Sequence, residues 1–106
     1  MNKRYQFKRN FVVFKMGFVI QLAKLKDYDK WEPTFKEDAS MIKANGVKSI
    51  SVLQSIDDPN IVIVTSEWED LETAKKLVES DEIRARMEKS GVVKSEIYYM
   101  KEKLVF

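Results

Sequence analysis

The stretch GVKSISVLQSIDDPNIVIVTSEW, residues 46–68, decides the fold. Two apolar-rich runs flank Asp57-Asp58-Pro59-Asn60, where each residue favours a turn for its own physical reason. The pattern predicts a β-hairpin with arms Val47–Ile56 and Ile61–Trp68. Side chains in a strand alternate between faces, so Ile50, Val52 and Ile56 point one way and Ser49, Ser51, Leu53 and Ser55 the other. In the second arm Val62, Val64, Ser66 and Trp68 alternate with Ile61, Ile63, Thr65 and Glu67. Neither face of this hairpin is plainly polar, so the rest of the chain is expected to cover it.

Upstream, Lys26–Asn45 reads as a helix. Asp27 or Asp29 can cap it, because a short carboxylate accepts bonds from the free N–H groups of a first turn. Trp31, Phe35, Ala39 and Ile42 recur on one helical face, with Lys36, Glu37 and Lys43 away from it. Pro33 is tolerated if it falls within about the first turn. Gly46 suits the left-handed residue that ends a helix. Before this helix, Gly17–Leu25 reads as a strand with two largely apolar faces, which can extend back into residues 11–15.

Downstream, Asp70 caps a helical region whose inner face is Leu71, Ala74, Leu77 and Val78. Ser80-Asp81-Glu82 restarts the pattern with a new cap and acids at the positive helix end, placing Ile83 and Met87 inward. Gly91 closes that piece. Val92–Phe106 carries the last strand, with Ile97, Tyr99 and Val105 alternating with Tyr98, Met100, Leu104 and Phe106. The order βαββαβ with short right-handed connections gives an α+β ferredoxin-like plait, a four-stranded antiparallel sheet with its helices on one face. Two helices cover one face only, and the other would carry Leu53, Ile61 and Ile63, a patch that monomers seldom leave in water. Packing two such faces across a two-fold axis removes it, so the expected partner is a second copy of the chain, as a homodimer or a higher oligomer.

Bulk composition narrows the chemistry. At 106 residues the chain is one domain, able to bury roughly two-thirds of the surface its unfolded form exposes. It has no cysteine and no histidine, which removes disulfides, thiolate or imidazole metal sites and Ser-His-Asp triads. No metal and no cofactor are expected. The net charge is +2, yet residues 1–15 hold five basic residues and no acid, so the remainder is net acidic by three. Residues 1–15 are read as a basic N-terminal extension and 16–106 as the single domain. Basic residues interleaved with Tyr5, Phe7, Phe11 and Phe14 raise nucleic-acid binding as a third function, against the plainer reading of a solvated terminus. Lys15 and Gln21 interrupt the apolar run that a secretion signal would need, and no run is long enough to span a bilayer. A cytoplasmic location, with no membrane and no nucleic acid as partner, is the expectation.

The segments DYDKW at 27–31, ANGV at 44–47, DDPN at 57–60, EWED at 67–70 and SGV at 90–92 resemble the dimeric α/β-barrel superfamily. That group includes antibiotic-biosynthesis monooxygenase-like proteins, stress-responsive barrel proteins and small proteins described as cyclases. The resemblance covers Met16 to about Lys103. It implies the ferredoxin-like fold, the sheet-to-sheet homodimer and a pocket between helices and sheet in each subunit. Trp68 matches the tryptophan that cofactor-free monooxygenases and haem-degrading members place in that pocket. The histidine that haem-degrading members use has no counterpart in a chain without histidine, and Gln21 is the nearest amide to the asparagine of the monooxygenases.

The pocket so implied would be lined by Trp31, Phe35, Ile50, Val52, Trp68, Met87 and Tyr98, with Ser66, Arg86, Gln54 and Tyr99 as polar groups. A cleft of that make-up suits a flat apolar or aromatic ligand. The plainer reading of Trp31, Phe35 and Met87 is core packing at helical spacing. For Trp68 it is a buried plug with its N–H satisfied. Arg84, Arg86, Lys75 and Lys76 also read as a solvated helix face, and Asp57-Asp58 as turn chemistry. Two functions stand side by side: binding of a small apolar or aromatic ligand without catalysis, or a cofactor-free monooxygenase, isomerase or cyclase acting on an aromatic or polyketide-like compound.

Overall fold

The computed structural model describes residues 16–106. The expected basic extension and the expected backward reach of the first strand fall outside them. The elements are β1 (Gly17–Leu25), α1 (Tyr28–Ala44), β2 (Val47–Gln54), β3 (Ile61–Trp68), α2 (Leu71–Val78), α3 (Asp81–Lys89) and β4 (Val92–Met100). The four strands form one antiparallel sheet in the order β2-β3-β1-β4, and the helices lie on one face. This is the ferredoxin-like plait.

Local chemistry sets each boundary. The Asp27 carboxylate accepts from the Asp29 N–H at the start of α1. Asp70 accepts from the Glu72 N–H at the start of α2, and the Ser80 hydroxyl accepts from the Ile83 N–H at the start of α3. Each satisfies a donor that a first helical turn leaves without an internal partner. Gly46 (φ +98°) and Gly91 (φ +96°) end α1 and α3 in the region that glycine enters without steric cost. The Asp57–Asn60 turn is tied to both neighbours. Asp58 accepts from the Asn60 N–H, and the Asn60 side-chain carbonyl accepts from the Tyr28 N–H at 2.9 Å, so the hairpin tip also caps α1.

Strand parity places the two faces. Val19, Gln21, Ala23 and Leu25 of β1 lie level with Ser66, Val64 and Val62 of β3 and with Tyr99, Ile97 and Ser95 of β4, all toward the helices. One buried cluster gathers Ala23, Leu25, Trp31, Val62 and Val64 under α1. A second gathers Val19, Trp68 and Ala74 under α2. The outer face carries Leu22, Ile63 and Leu53 in register across three strands, with Tyr98 and Met100 half-exposed on β4.

Three details differ from the sequence reading. Ile56 does not share a face with Ile50 and Val52. The strand ends at Gln54, where the Asp57 and Asp58 N–H groups turn back onto the Ser55 hydroxyl, and Ile56 is left exposed. The last strand stops at Met100, so Leu104, Val105 and Phe106 belong to no ladder and are exposed. Pro33 falls sixth in α1 rather than in its first turn, and the Asp29 carbonyl loses its helical donor on a side open to water.

Candidate functional site

The two buried clusters do not close on one another. Between them, bounded by the inner face of the sheet and all three helices, lies a partly open cavity of about 80 Å³. Its wall from α1 is aromatic. Trp31 and Phe35, one helical turn apart, stack with ring centroids 4.6 Å apart and planes 22° from parallel. Its sheet wall is Val19, Ala23, Ile50 and Val64. Leu77 and Val78 from α2 and Ile83 and Met87 from α3 complete it.

Trp68 closes one end. The ring is 2 % exposed, and its indole N–H donates to the Ser66 hydroxyl at 2.8 Å. Ser66 sits two residues before Trp68 on the same face of β3, so strand geometry alone brings donor and acceptor together. Gln21 enters from the centre of β1. Its amide N–H₂ reaches the Met87 sulfur and the Ser95 hydroxyl, each at 3.0 Å. These bonds tie α3 to β1 and β4 and leave the side-chain carbonyl of Gln21 as an acceptor.

The charged groups meet on the helix side. Asp38 from α1 accepts from the Arg86 guanidinium of α3 at 2.9 Å, and both line the cavity. Among the described residues they are the single anion and the single cation that do so. The hydrogen bond to Asp38, and after it the Asp38 charge, push Arg86 above its already high ordinary pKa, so the guanidinium is charged at every accessible pH. Glu82, one turn before Arg86, adds a weaker contact at 3.5 Å from outside.

Of the residues expected from sequence, the structure brings Trp31, Phe35, Ile50, Ser66, Trp68 and Arg86 to one cavity, together with Met87 and Gln21. Val52 is placed elsewhere. It faces the helices, but beside Tyr28 and Lys36 in a shallow groove along the outside of α1. Tyr98 is on the opposite face. It pairs with Ile20 in the β1–β4 ladder, while its neighbour Tyr99 pairs with inward-facing Val19. Tyr99 stays outside the cavity too, donating to Glu79 at 2.8 Å. Gln54 donates to the Pro59 carbonyl and serves the turn. Asp38 lines the cavity too, and sequence reading missed it. Its place three residues after Phe35 on the Trp31 stripe was the available signal. Among the described residues no cluster of carboxylates forms a metal site, and no helix is long and apolar enough to cross a membrane.

The fold recurs in known proteins. The fold is similar to that of SnoaB, a cofactor-independent oxygenase from Streptomyces nogalater. The TM-score is 0.69 at 14% identity, over 85% of this chain and 94% of that one. It is also similar to a conserved protein from Methanosarcina mazei, with a TM-score of 0.60 at 19% identity over 88% and 98% of the two chains. No curated protein matches the sequence. Residues 20–89 match the family model described as antibiotic biosynthesis monooxygenase. That match spans more than half of the chain and runs from β1 through α3, so the chain belongs to the antibiotic biosynthesis monooxygenase domain family.

Proposed function

We propose that this protein binds a small apolar or aromatic molecule in the cavity between the helices and the inner face of the sheet. The observation that carries the reading is the cavity itself. Two aromatic walls and aliphatic side chains surround a space that the core does not fill, where close packing is the rule in protein interiors. Apolar walls with a few convergent polar groups are the usual make-up of a ligand site. The polar groups here already hold one another: Ser66 with Trp68, Asp38 with Arg86, Gln21 with Met87 and Ser95. That mutual pairing favours binding over catalysis, because the Gln21 amide and the Arg86 guanidinium would have to leave a partner to meet charge developing in a transition state.

The second reading is oxygenation without a cofactor, which the family match and the likeness to SnoaB support. Electrons for dioxygen would then come from the ligand itself, as an enolate or phenolate. One oxygen atom would enter the product and the other leave as water. An oxygen electrode separates the two readings. Binding alone predicts no enzyme-dependent oxygen uptake with a hydroxylated anthrone, while oxygenation predicts uptake equal to the anthrone consumed. Native mass spectrometry of the protein as purified tests the shared premise, with an apolar molecule held at one per chain as the expected result.

The apolar outer face supports a homodimer formed sheet to sheet. Leu22, Ile63 and Leu53 form a row across it, and Leu53 is 58% exposed in the single chain. Sedimentation at micromolar concentration should give twice the chain mass, and Ile63→Lys, which sets a charge in the middle of that row, should return the monomer.

A further inference from the structure

The cavity is too small for the ligand it would hold. At about 80 Å³ it is smaller than the roughly 150 Å³ apolar cavity that accommodates benzene, so even one aromatic ring enters only if a wall moves. The sheet is a poor candidate, since each of its strands is paired along most of its length and the central β1–β3 ladder is unbroken. The seam between α1 and α3 is a better one. The two helices make few contacts with each other, and an open cleft runs along the outside of the seam between Thr34 and Glu37 of α1 and Ala85 and Lys89 of α3. Among the described residues Asp38 and Arg86 alone line both that outer cleft and the inner cavity. Their 2.9 Å ion pair therefore stands across the passage from water to cavity.

We propose that the Asp38–Arg86 pair is the gate of the cavity and that Arg86 is its specificity-determining residue. This rests on the ligand-binding reading above. With the seam closed, the Asp38 carboxylate holds the one cation of the cavity wall. When the seam opens, Asp38 swings into the outer cleft, where water solvates it, and the Arg86 fork is free to take an acidic group of the ligand in its place. A guanidinium binds a carboxylate or an acidic hydroxyl through parallel N–H donors, and it does so more strongly in a cavity from which water is excluded. The ligand class is then a flat apolar molecule with one acidic group at its edge, oriented with that group toward the α1–α3 seam and its rings against Trp31 and Phe35. A neutral molecule of the same shape breaks the same pair on entering and forms none in return.

Calorimetric titration of the full chain with 2-naphthoate and 2-naphthamide tests this, because the two probes share a shape and differ in charge. The parent protein should bind 2-naphthoate more tightly. Asp38→Asn removes the latch and should tighten both probes by about fivefold, the order expected for loss of a competing exposed ion pair. Stopped-flow association of 2-naphthamide should accelerate in step. Arg86→Gln removes the latch from the other helix. It should accelerate 2-naphthamide in the same way while abolishing the preference for 2-naphthoate. Glu37→Gln, which removes the neighbouring charge from the outer cleft, should do neither. A purely structural ion pair would instead leave association unchanged or slow it in Asp38→Asn, and that result overturns the gate while leaving the cavity reading intact if 2-naphthamide still binds. Equal affinity of the parent for both probes overturns the acidic-ligand assignment. Failure of either probe to bind any variant overturns the gate and the cavity reading together.

Discussion

The indole N–H of Trp68 donates to the hydroxyl of Ser66 at 2.8 Å, two residues apart on one face of β3. The bond fixes the orientation of a ring that is almost wholly buried, and that ring closes one end of the cavity. Ser66→Ala should leave a buried donor without a partner and cost about 1–3 kcal/mol of stability. Trp68→Phe removes the donor as well, so its cost should come from lost volume alone, and Ser66→Ala in that background should be nearly neutral. A double-mutant cycle by chemical denaturation checks this; simple additivity of the two changes would show that the bond does not hold the ring.

Gly17, at the start of β1, is a packing glycine rather than a turn glycine. A Cβ there would lie 2.8 Å from the Met100 carbonyl oxygen and would strike the Leu71 side chain of α2. Leu71 is the first residue of α2, so this close approach sets how near that helix sits to the sheet beside Trp68. Gly17→Ala should destabilise by about 1–3 kcal/mol through overpacking. Leu71→Ala in the same chain should recover part of that loss, measured by urea unfolding; an unchanged loss would place the strain elsewhere.

Tyr99 makes the protein sensitive to alkali. Burial first, then the hydrogen bond to Glu79 and the nearby Glu79 charge, push its phenol up from 10.0 to about 12. The folded state therefore favours the neutral phenol more than the unfolded chain does. The stability this contributes is complete below pH 10 and is lost as pH rises from 10 toward 12. Tyr99→Phe should abolish that part of the decline, so unfolding midpoints of parent and variant should converge over this interval. Absorbance titration near 295 nm should lose its latest phenolate step in the same variant. Parallel decline in both proteins would contradict the assignment.

Much of this molecule is legible in its sequence because the signals are local. Asp27, Asp70 and Ser80 cap helices that start where a short polar side chain precedes an apolar stripe, and Gly46 and Gly91 stop them. The hairpin follows from turn residues between two β-branched runs, and Trp31 and Phe35 from helical spacing. What was hidden is non-local. Tyr98 and Tyr99 are adjacent in a strand with apolar residues on both faces, so only the ladder to Ile20 and Val19 settles which one turns inward. Asp38 looks like any solvated helix acid until the fold brings α3 beside α1 and sets Arg86 against it, 48 positions away in the chain. Ile56 reads as strand by type, but the Ser55 hydroxyl has already begun the turn.

A saturable probe separates two readings of the space between Trp31, Trp68 and the sheet, a ligand site and a packing defect. Titration of ¹⁵N-labelled protein with 2-naphthol distinguishes them, because both tryptophans of the chain line the cavity and each gives one indole signal. A ligand site predicts that both indole signals shift together and saturate at one probe per chain. It also predicts that Val64→Phe, which fills the cavity from the sheet side, abolishes the response while the protein stays folded. Shifts confined to Leu22, Leu53 and Ile63 on the outer face, or saturable binding that survives Val64→Phe, would contradict it.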